Sequence, residues 1–212
     1  MTPSSTHRPV HGVLSIILTG LLGGVLLSSA HAADIQKPAP DFTAPGANGK
    51  PVQLSAYRGK VVVLEWTNHD CPFVKKHYDS GNIPKLQKQA AAQGVVWLQV
   101  ISSAPGQQGH VDAATARQIN GYRNATPADT VLDESGAVGK LYGARTTPHL
   151  YVIDASGKLV YKGGIDSIPS NRPEDIEKAE PFAWNAIQAV VKGQPVTKAS
   201  TQPYGCSVKY SS

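Results

Sequence analysis

Cysteine is scarce in this sequence, because 212 residues contain only two, Cys71 and Cys206. Two cysteines exclude a fold held together by several disulfides and a zinc site made from four thiolates. The position three residues after Cys71 carries Val74, so the paired Cys-x-x-Cys arrangement is also absent. Any chemistry that needs two sulfurs from this chain therefore has to bring two distant cysteines together.

Concentrated charge is also lacking, since 20 basic and 15 acidic residues give a formal net charge of +5. The basic residues are scattered, and Lys75-Lys76 is their only doublet. Beyond residue 32 the sequence has no apolar stretch long enough to span a bilayer. We therefore expect no nucleic acid as a partner, and no membrane once the N-terminal segment has been removed.

The N-terminal segment has the pattern of a secretory signal peptide. His7 and Arg8 precede an apolar stretch at 13–27, and Ala30-His31-Ala32 is a small-x-small cleavage site. An uncleaved membrane anchor is the competing interpretation. Residues 1–32 are thus predicted to be removed during secretion across the inner membrane, which places the mature protein in the periplasm. Two cysteines can persist there as a disulfide.

The remaining chain alternates strands and helices. We predict one domain over residues 33–192 and an irregular tail, 193–212, that carries Cys206. An apolar run at 60–67 predicts a strand covered on both faces, and Pro72 can begin the helix that follows. Ser80-Gly81 interrupts this helix, and Asn82 can cap its continuation. The other predicted elements are strands at 95–101, 130–132, 149–153 and 159–162 and helices at 111–122, 135–142 and 181–192. This order predicts an α/β fold with a central mixed β-sheet flanked by helices.

The order of the motifs resembles a known fold family. Cys71 follows the first long strand, Thr147-Pro148 comes just before a hairpin, and two entry segments lie at 37–42 and 54–63. Together these features resemble the thioredoxin fold and, within it, the redoxin branch (the alkyl hydroperoxide reductase and thiol-specific antioxidant group). The resemblance implies that Cys71 is the nucleophile and that Thr147 and a cis Pro148 offer backbone to a substrate.

Four residues are assigned to substrate binding on this basis: Thr147, Pro148, Trp66 and His69. Trp66 and His69 lie in the run that leads to Cys71. A cysteine at the start of a helix is exposed to unpaired backbone N–H groups and to the positive end of the helix dipole, which favour the reactive thiolate. A buried structural cysteine is the alternative interpretation of Cys71.

Glu65 interrupts the apolar strand six positions before Cys71. A carboxylate there is costly unless it is paired or has a raised pKa. Thioredoxins carry a buried acid on the corresponding strand, so Glu65 is a candidate catalytic proton shuttle. A polar edge or a salt bridge remains an equal alternative.

Cys206 is the only intramolecular partner for Cys71. Residues 193–206 could span roughly 40 Å when extended, so reach is not a barrier. Some redoxins with a lone motif cysteine have a similar Gly-Cys tail, which supports pairing. Three arrangements stay open: a catalytic resolving pair, a permanent staple of the tail, and two unpaired thiols that use outside partners.

The predicted function is that of an exported thiol–disulfide oxidoreductase. Its partners are protein or small-molecule disulfides or thiols, including an external thiol reductant, and no cofactor or resident metal is expected. A thiol peroxidase is the first alternative, but the resemblance places a Thr or Ser, a Pro and an Arg where this chain has Asn68, Leu64 and Pro148. The second alternative is a copper or soft-metal carrier with ligands drawn from His69, Cys71, His77, His149 and Cys206.

Overall fold

The structure is a computed structural model and describes residues 1–2 and 33–211. The predicted signal peptide, residues 1–32, lies outside the described residues except for its first two positions. Among the described residues no helix has the length and apolar character needed to cross a membrane.

Nine strands and five α-helices are present in the described part of the chain. The strands are β1 (Thr43–Pro45), β2 (Pro51–Gln53), β3 (Val62–Trp66), β4 (Val96–Ile101), β5 (Asp129–Leu132), β6 (Thr146–Thr147), β7 (His149–Ile153), β8 (Leu159–Gly163) and β9 (Cys206–Ser207). The helices are α1 (Pro72–Asp79), α2 (Asn82–Ala92), α3 (Ala113–Tyr122), α4 (Ala137–Tyr142) and α5 (Phe182–Val191). Two short 3-10 helices lie at Leu54–Tyr57 and Pro173–Asp175.

The central sheet has five strands in the order β5-β4-β3-β7-β8. Strands β3, β4 and β5 are parallel, whereas β7 and β8 run antiparallel to their neighbours. In the middle of the sheet Val63 pairs with Trp97 on one side and with Val152 on the other. The predicted mixed α/β sheet is therefore confirmed, with β3 at its centre.

Alternation along β3 divides the core into two apolar clusters. Val62, Leu64 and Trp66 belong to one cluster, and Val63 belongs to the other, which also contains Cys71. All five residues of β3 are buried. This is the burial expected of a central strand that is covered on both faces.

The start of α2 differs in detail from the sequence prediction. Asn82 was expected to cap this helix, but the N-cap is Gly81, in a left-handed conformation with φ of 73°. Glycine adopts this conformation without the cost of a Cβ. The Asn82 side chain instead lies 2.8 Å from His77 Nδ1, so it ties α2 to the end of α1.

The C-terminal segment is attached to the domain along its length. Ser200 forms a parallel bridge with Lys162 of β8, and β9 pairs antiparallel with β6. The backbone N–H of Ala104 donates to the carbonyl of Lys209 at 2.8 Å. These contacts hold Cys206 at the carboxyl end of β3, where Cys71 lies.

Candidate active site

Cys71 lies where β3 passes into α1. It is the N-cap residue of α1, with extended φ and ψ of −69° and 123°, and Pro72 is the first helical residue. Its backbone N–H donates to the carbonyl of Asn68 at 3.1 Å, while the Asn68 side chain accepts from the N–H of Asp70 at 2.9 Å. This tight turn places the cysteine at the first turn of the helix, as the sequence predicted.

Cys71 and Cys206 form a disulfide, with their Cα atoms 5.9 Å apart. The bond joins residues 135 positions apart in the chain. Two unpaired thiols, one of the three arrangements left open by the sequence, are therefore not what the structure contains. The pair is also unequally buried, because Cys71 has 0% exposure whereas Cys206 is partly exposed.

The Thr147-Pro148 loop faces this disulfide. The peptide bond between these two residues is cis, as the resemblance implied. Thr147 pairs with Cys206 in the β6–β9 ladder, and its carbonyl oxygen lies 3.1 Å from Cys71 Sγ. No pattern in the sequence predicts this ladder, because a strand of two residues is too short to produce an alternation.

Two opposing influences act on the Cys71 sulfur. The free N–H groups of the first turn of α1 favour a thiolate after reduction. Complete burial and the Thr147 carbonyl, which accepts a hydrogen bond from a thiol, favour the protonated form. Solvent access at this position therefore governs how readily Cys71 ionises.

Glu65 is fully buried, and it lies on the face of the sheet that packs against the apolar cluster containing Cys71. Its two oxygens accept hydrogen bonds from Tyr78 Oη and Trp97 Nε1, each at 2.7 Å. Burial raises the pKa of Glu65 to about 7, and the hydrogen bonds from these two neighbours only partly offset it. The alternative of a polar edge is wrong because Glu65 has 0% exposure, and no ion pair to it is found among the described residues.

A buried polar cluster that the sequence did not reveal links α1 to the tail. Lys76 and His77 are both buried, and Asp166 lies 3.7 Å from Lys76 Nζ and 3.6 Å from His77 Nε2. The hydroxyl of Tyr204 donates to Asp166 at 2.6 Å. Burial, followed by the neighbouring Lys76 charge, lowers the pKa of His77 to about 3, so the imidazole is neutral. The cluster fixes the tail two residues before Cys206.

Trp66 and His69 have different positions relative to the site. Trp66 has 0% exposure, lies in the cluster on the opposite face, and donates from Nε1 to Ser102 Oγ at 3.0 Å. The structure therefore does not bring Trp66 to a surface that a substrate can reach. His69 lies in the turn before Cys71 with 24% of its side chain exposed, and its pKa is lowered chiefly by burial.

The residues that bear on the two alternative functions, a thiol peroxidase and a metal carrier, make structural contacts. Asn68 Nδ2 donates to the carbonyl of Gln108 at 3.2 Å, and Leu64 is a fully buried core residue. In the described part of the chain no group of three or more His, Cys, Asp or Glu side chains is arranged to hold a metal ion. The five ligands considered for a metal carrier are thus not assembled into one site.

Comparison with known proteins agrees with this geometry. A thiol–disulfide oxidoreductase, ResA, from Bacillus cereus is 24% identical over 173 residues, which cover 80% of this chain and 94% of that protein. "Probable glutathione peroxidase 5" from Arabidopsis thaliana is 26% identical over 171 residues, which cover 72% of this chain and 96% of that protein. A crystal structure of an uncharacterized conserved protein from Geobacillus kaustophilus superposes with a TM-score of 0.70 at 24% identity, covering 84% of this chain and 93% of that one.

The sequence profile of one family matches the part of the chain that carries the entry segments, the central sheet and Cys71. The match extends over residues 35–162, more than half of the chain. It includes the turn before α1 and the Thr147-Pro148 loop, whereas Cys206 lies beyond it. The thioredoxin-like chain described here belongs to the AhpC/TSA family.

Proposed function

We propose that this protein is an exported thiol–disulfide oxidoreductase in which Cys71 attacks a disulfide and Cys206 resolves the adduct. It is a thiol-dependent oxidoreductase that needs no cofactor, because both sulfurs come from its own chain. The Cys71–Cys206 disulfide is the single observation that carries this proposal. Through this bond Cys206 supplies the second sulfur, which position 74 lacks because it carries valine.

The reaction has two exchange steps. In the reduced protein, the Cys71 thiolate attacks one sulfur of a substrate disulfide, forms a mixed disulfide, and releases the other substrate sulfur as a thiolate. The Cys206 thiolate then attacks Cys71 Sγ and releases the second substrate thiolate. The substrate has gained two electrons, and the protein has become the Cys71–Cys206 disulfide. Two equivalents of an external thiol return it to the reduced state.

Substrate binding uses the edge formed by Thr147 and Pro148. An extended substrate peptide can pair with the backbone of β6, as β9 does in the oxidised protein. His69 is proposed to contact such a substrate from the turn before Cys71, since part of its side chain is exposed. The tail and a peptide compete for the same backbone groups, so the substrate enters when the tail has moved away.

Glu65 is proposed to exchange protons with the site during turnover. A carboxyl group with a pKa of about 7 is populated in both forms near neutral pH, which suits a general acid or base. Its hydrogen bonds to Tyr78 and Trp97 hold it in place on the central strand.

Export is the second part of the proposal. It rests on the basic head, the apolar stretch and the Ala30-His31-Ala32 site within residues 1–32. An oxidising periplasm also suits a protein whose two cysteines are paired. Cell fractionation and N-terminal sequencing of the protein test this part, and an intact residue 1 in a cytosolic fraction would contradict it.

Turnover by cysteine variants tests the catalytic roles. With a model disulfide substrate and dithiothreitol as reductant, Cys71→Ser is expected to lose activity at least about 100-fold, because the nucleophile is gone. Cys206→Ser is expected to accumulate the mixed disulfide at Cys71, which mass mapping detects. A native disulfide that dithiothreitol cannot reduce would identify a permanent staple and overturn the proposal.

A thiol peroxidase is retained as the second candidate because of the likeness to the Arabidopsis glutathione peroxidase. In that reaction, peroxide oxidises Cys71 to a sulfenic acid and Cys206 condenses with it, releasing water. Asn68 Nδ2 already donates to the Gln108 carbonyl, which counts against a role for this residue in binding peroxide. Peroxide consumption that depends on Cys71 and matches the rate of disulfide exchange would favour this candidate.

A further inference from the structure

The two cysteines of the disulfide differ in their exposure to solvent. Cys71 has 0% exposure, since it is enclosed by its own apolar cluster and by the Thr147 carbonyl 3.1 Å from its sulfur. Cys206 is partly exposed on the short strand β9. An external thiol that approaches the oxidised protein therefore meets Cys206 first.

In the oxidised protein, contacts on both sides of the disulfide hold the tail over Cys71. Before Cys206, the Tyr204 hydroxyl donates to Asp166, and the Tyr204 ring meets Phe73 edge-on at 5.9 Å. After Cys206, the N–H of Val208 donates to the Arg145 carbonyl at 3.0 Å, and the Tyr210 hydroxyl donates to the Ala144 carbonyl at 2.7 Å. Contacts on both sides thus keep Cys71 covered while the disulfide is intact.

The two sulfurs also differ as leaving groups. Thiol–disulfide exchange is faster when the departing sulfur is the more stable thiolate. Cys71 lies at the N-terminus of the eight-residue helix α1, whose amide groups stabilise a negative charge. Cys206 is part of a two-residue strand and has no helix of its own. This difference favours departure of Cys71, and it acts against the effect that burial and the Thr147 carbonyl have on the same sulfur.

We propose that an external thiolate reduces the oxidised protein by attacking Sγ of Cys206, with Cys71 as the leaving thiolate. A bond forms between the external sulfur and Cys206, the Cys71–Cys206 bond breaks, and its electron pair goes to Cys71. A second external thiolate then attacks the external sulfur of this mixed disulfide, which yields an oxidised external disulfide and the Cys206 thiolate. The step deepens the proposed function, on which it rests: substrate reacts at Cys71, but the reductant reacts at Cys206.

Glutathione mapping on the oxidised full-length protein tests this assignment. The protein is mixed with excess reduced glutathione, quenched with acid at short times, alkylated in denaturant, and mapped by mass spectrometry. We expect glutathione on Cys206 and the alkyl label on Cys71, in at least tenfold excess over the reverse pattern. Equal labelling, or glutathione mainly on Cys71, would overturn the inference while leaving the proposed function intact.

Two matched single-cysteine variants keep the test decisive if the adduct is short-lived. Cys71→Ser carrying a thionitrobenzoate adduct on Cys206 is compared with Cys206→Ser carrying it on Cys71. Release of the coloured thiol by glutathione is expected to be at least tenfold faster from Cys206, and an equal or slower rate overturns the inference. A wild-type disulfide that neither glutathione nor dithiothreitol reduces except in denaturant would overturn both this inference and the proposed function.

Discussion

At the scale of single residues, Glu65 is the group whose ionisation most directly links the core to pH. It lies in β3 with no exposure, and neutral donors rather than a cation satisfy its two oxygens. A carboxylate in such surroundings loses more hydration than two hydrogen bonds return. Its protonated form is therefore the one that the fold favours.

Glu65 is expected to make the folded protein less stable as pH rises from about 4.5 to about 7. Its pKa is 4.5 without perturbation and about 7 in the fold, so in this range the unfolded chain releases a proton that the folded protein keeps. The stabilisation is complete below pH 4.5 and is lost by pH 7, and amounts to about 3 kcal/mol. Urea unfolding of oxidised wild type and Glu65→Gln across this range measures it.

Glu65→Gln is expected to lack this pH-dependent part of the free energy of unfolding, whatever its absolute stability. Replacement of the exposed Glu177 by Gln is a control that changes the same functional group without altering the core. Wild type and Glu65→Gln curves that run parallel from pH 4.5 to pH 7 would show that Glu65 does not keep its proton in the fold.

At the scale of elements, the two-residue strand β9 determines where the second sulfur lies. Gly205, just before it, has φ of 124°, and a Cβ on this residue would lie 2.0 Å from the Thr147 carbonyl oxygen. The contact is with backbone, which cannot move aside as a flexible side chain can. Close approach of the tail to β6 therefore requires glycine at position 205.

Gly205→Ala is expected to weaken formation of the Cys71–Cys206 disulfide. The strained backbone and the collision with Thr147 push the tail away from β6, so the equilibrium constant for closing the disulfide falls roughly tenfold or more. Titration in glutathione redox buffers with mass mapping measures this constant. Gly121→Ala is the control, because a Cβ there meets nothing within 4 Å. An unchanged equilibrium constant in Gly205→Ala would show that the tail can approach β6 without glycine at position 205.

At the scale of the whole molecule, the disulfide closes a loop that includes most of the domain. Its two cysteines are separated by 135 positions in the chain, and they join the tail to the helix that follows the central strand. Closing so long a loop restricts the unfolded chain strongly, by about 5 kcal/mol in the chain-entropy description. A change of redox state should therefore change the stability of the entire fold.

Reduction is expected to lower the free energy of unfolding of wild type by up to about 5 kcal/mol. Urea unfolding with and without a phosphine reductant measures the difference. Cys206→Ser is the control, because its stability should not respond to the reductant. A difference below about 1 kcal/mol in wild type would mean that the unfolded chain gains little freedom when the bond opens.

The sequence by itself determined the sheet, the helices and the position of Cys71. The apolar run that became β3 and the proline that begins α1 are local signals, since periodicity and capping depend on neighbours in the chain. The sequence also indicated that the Glu65 carboxyl needs a partner or a raised pKa, because a charge in an apolar strand is costly without compensation.

Only the tertiary structure decided the pairing and the burial of the two sulfurs. The approach of Gly205 to Thr147 and the cluster of Lys76, His77, Asp166 and Tyr204 join segments that are far apart in the chain. Such contacts produce no periodic pattern in any one segment. The cause is physical: a tail without apolar periodicity is positioned by individual hydrogen bonds to distant backbone, and these exist only once the domain has folded.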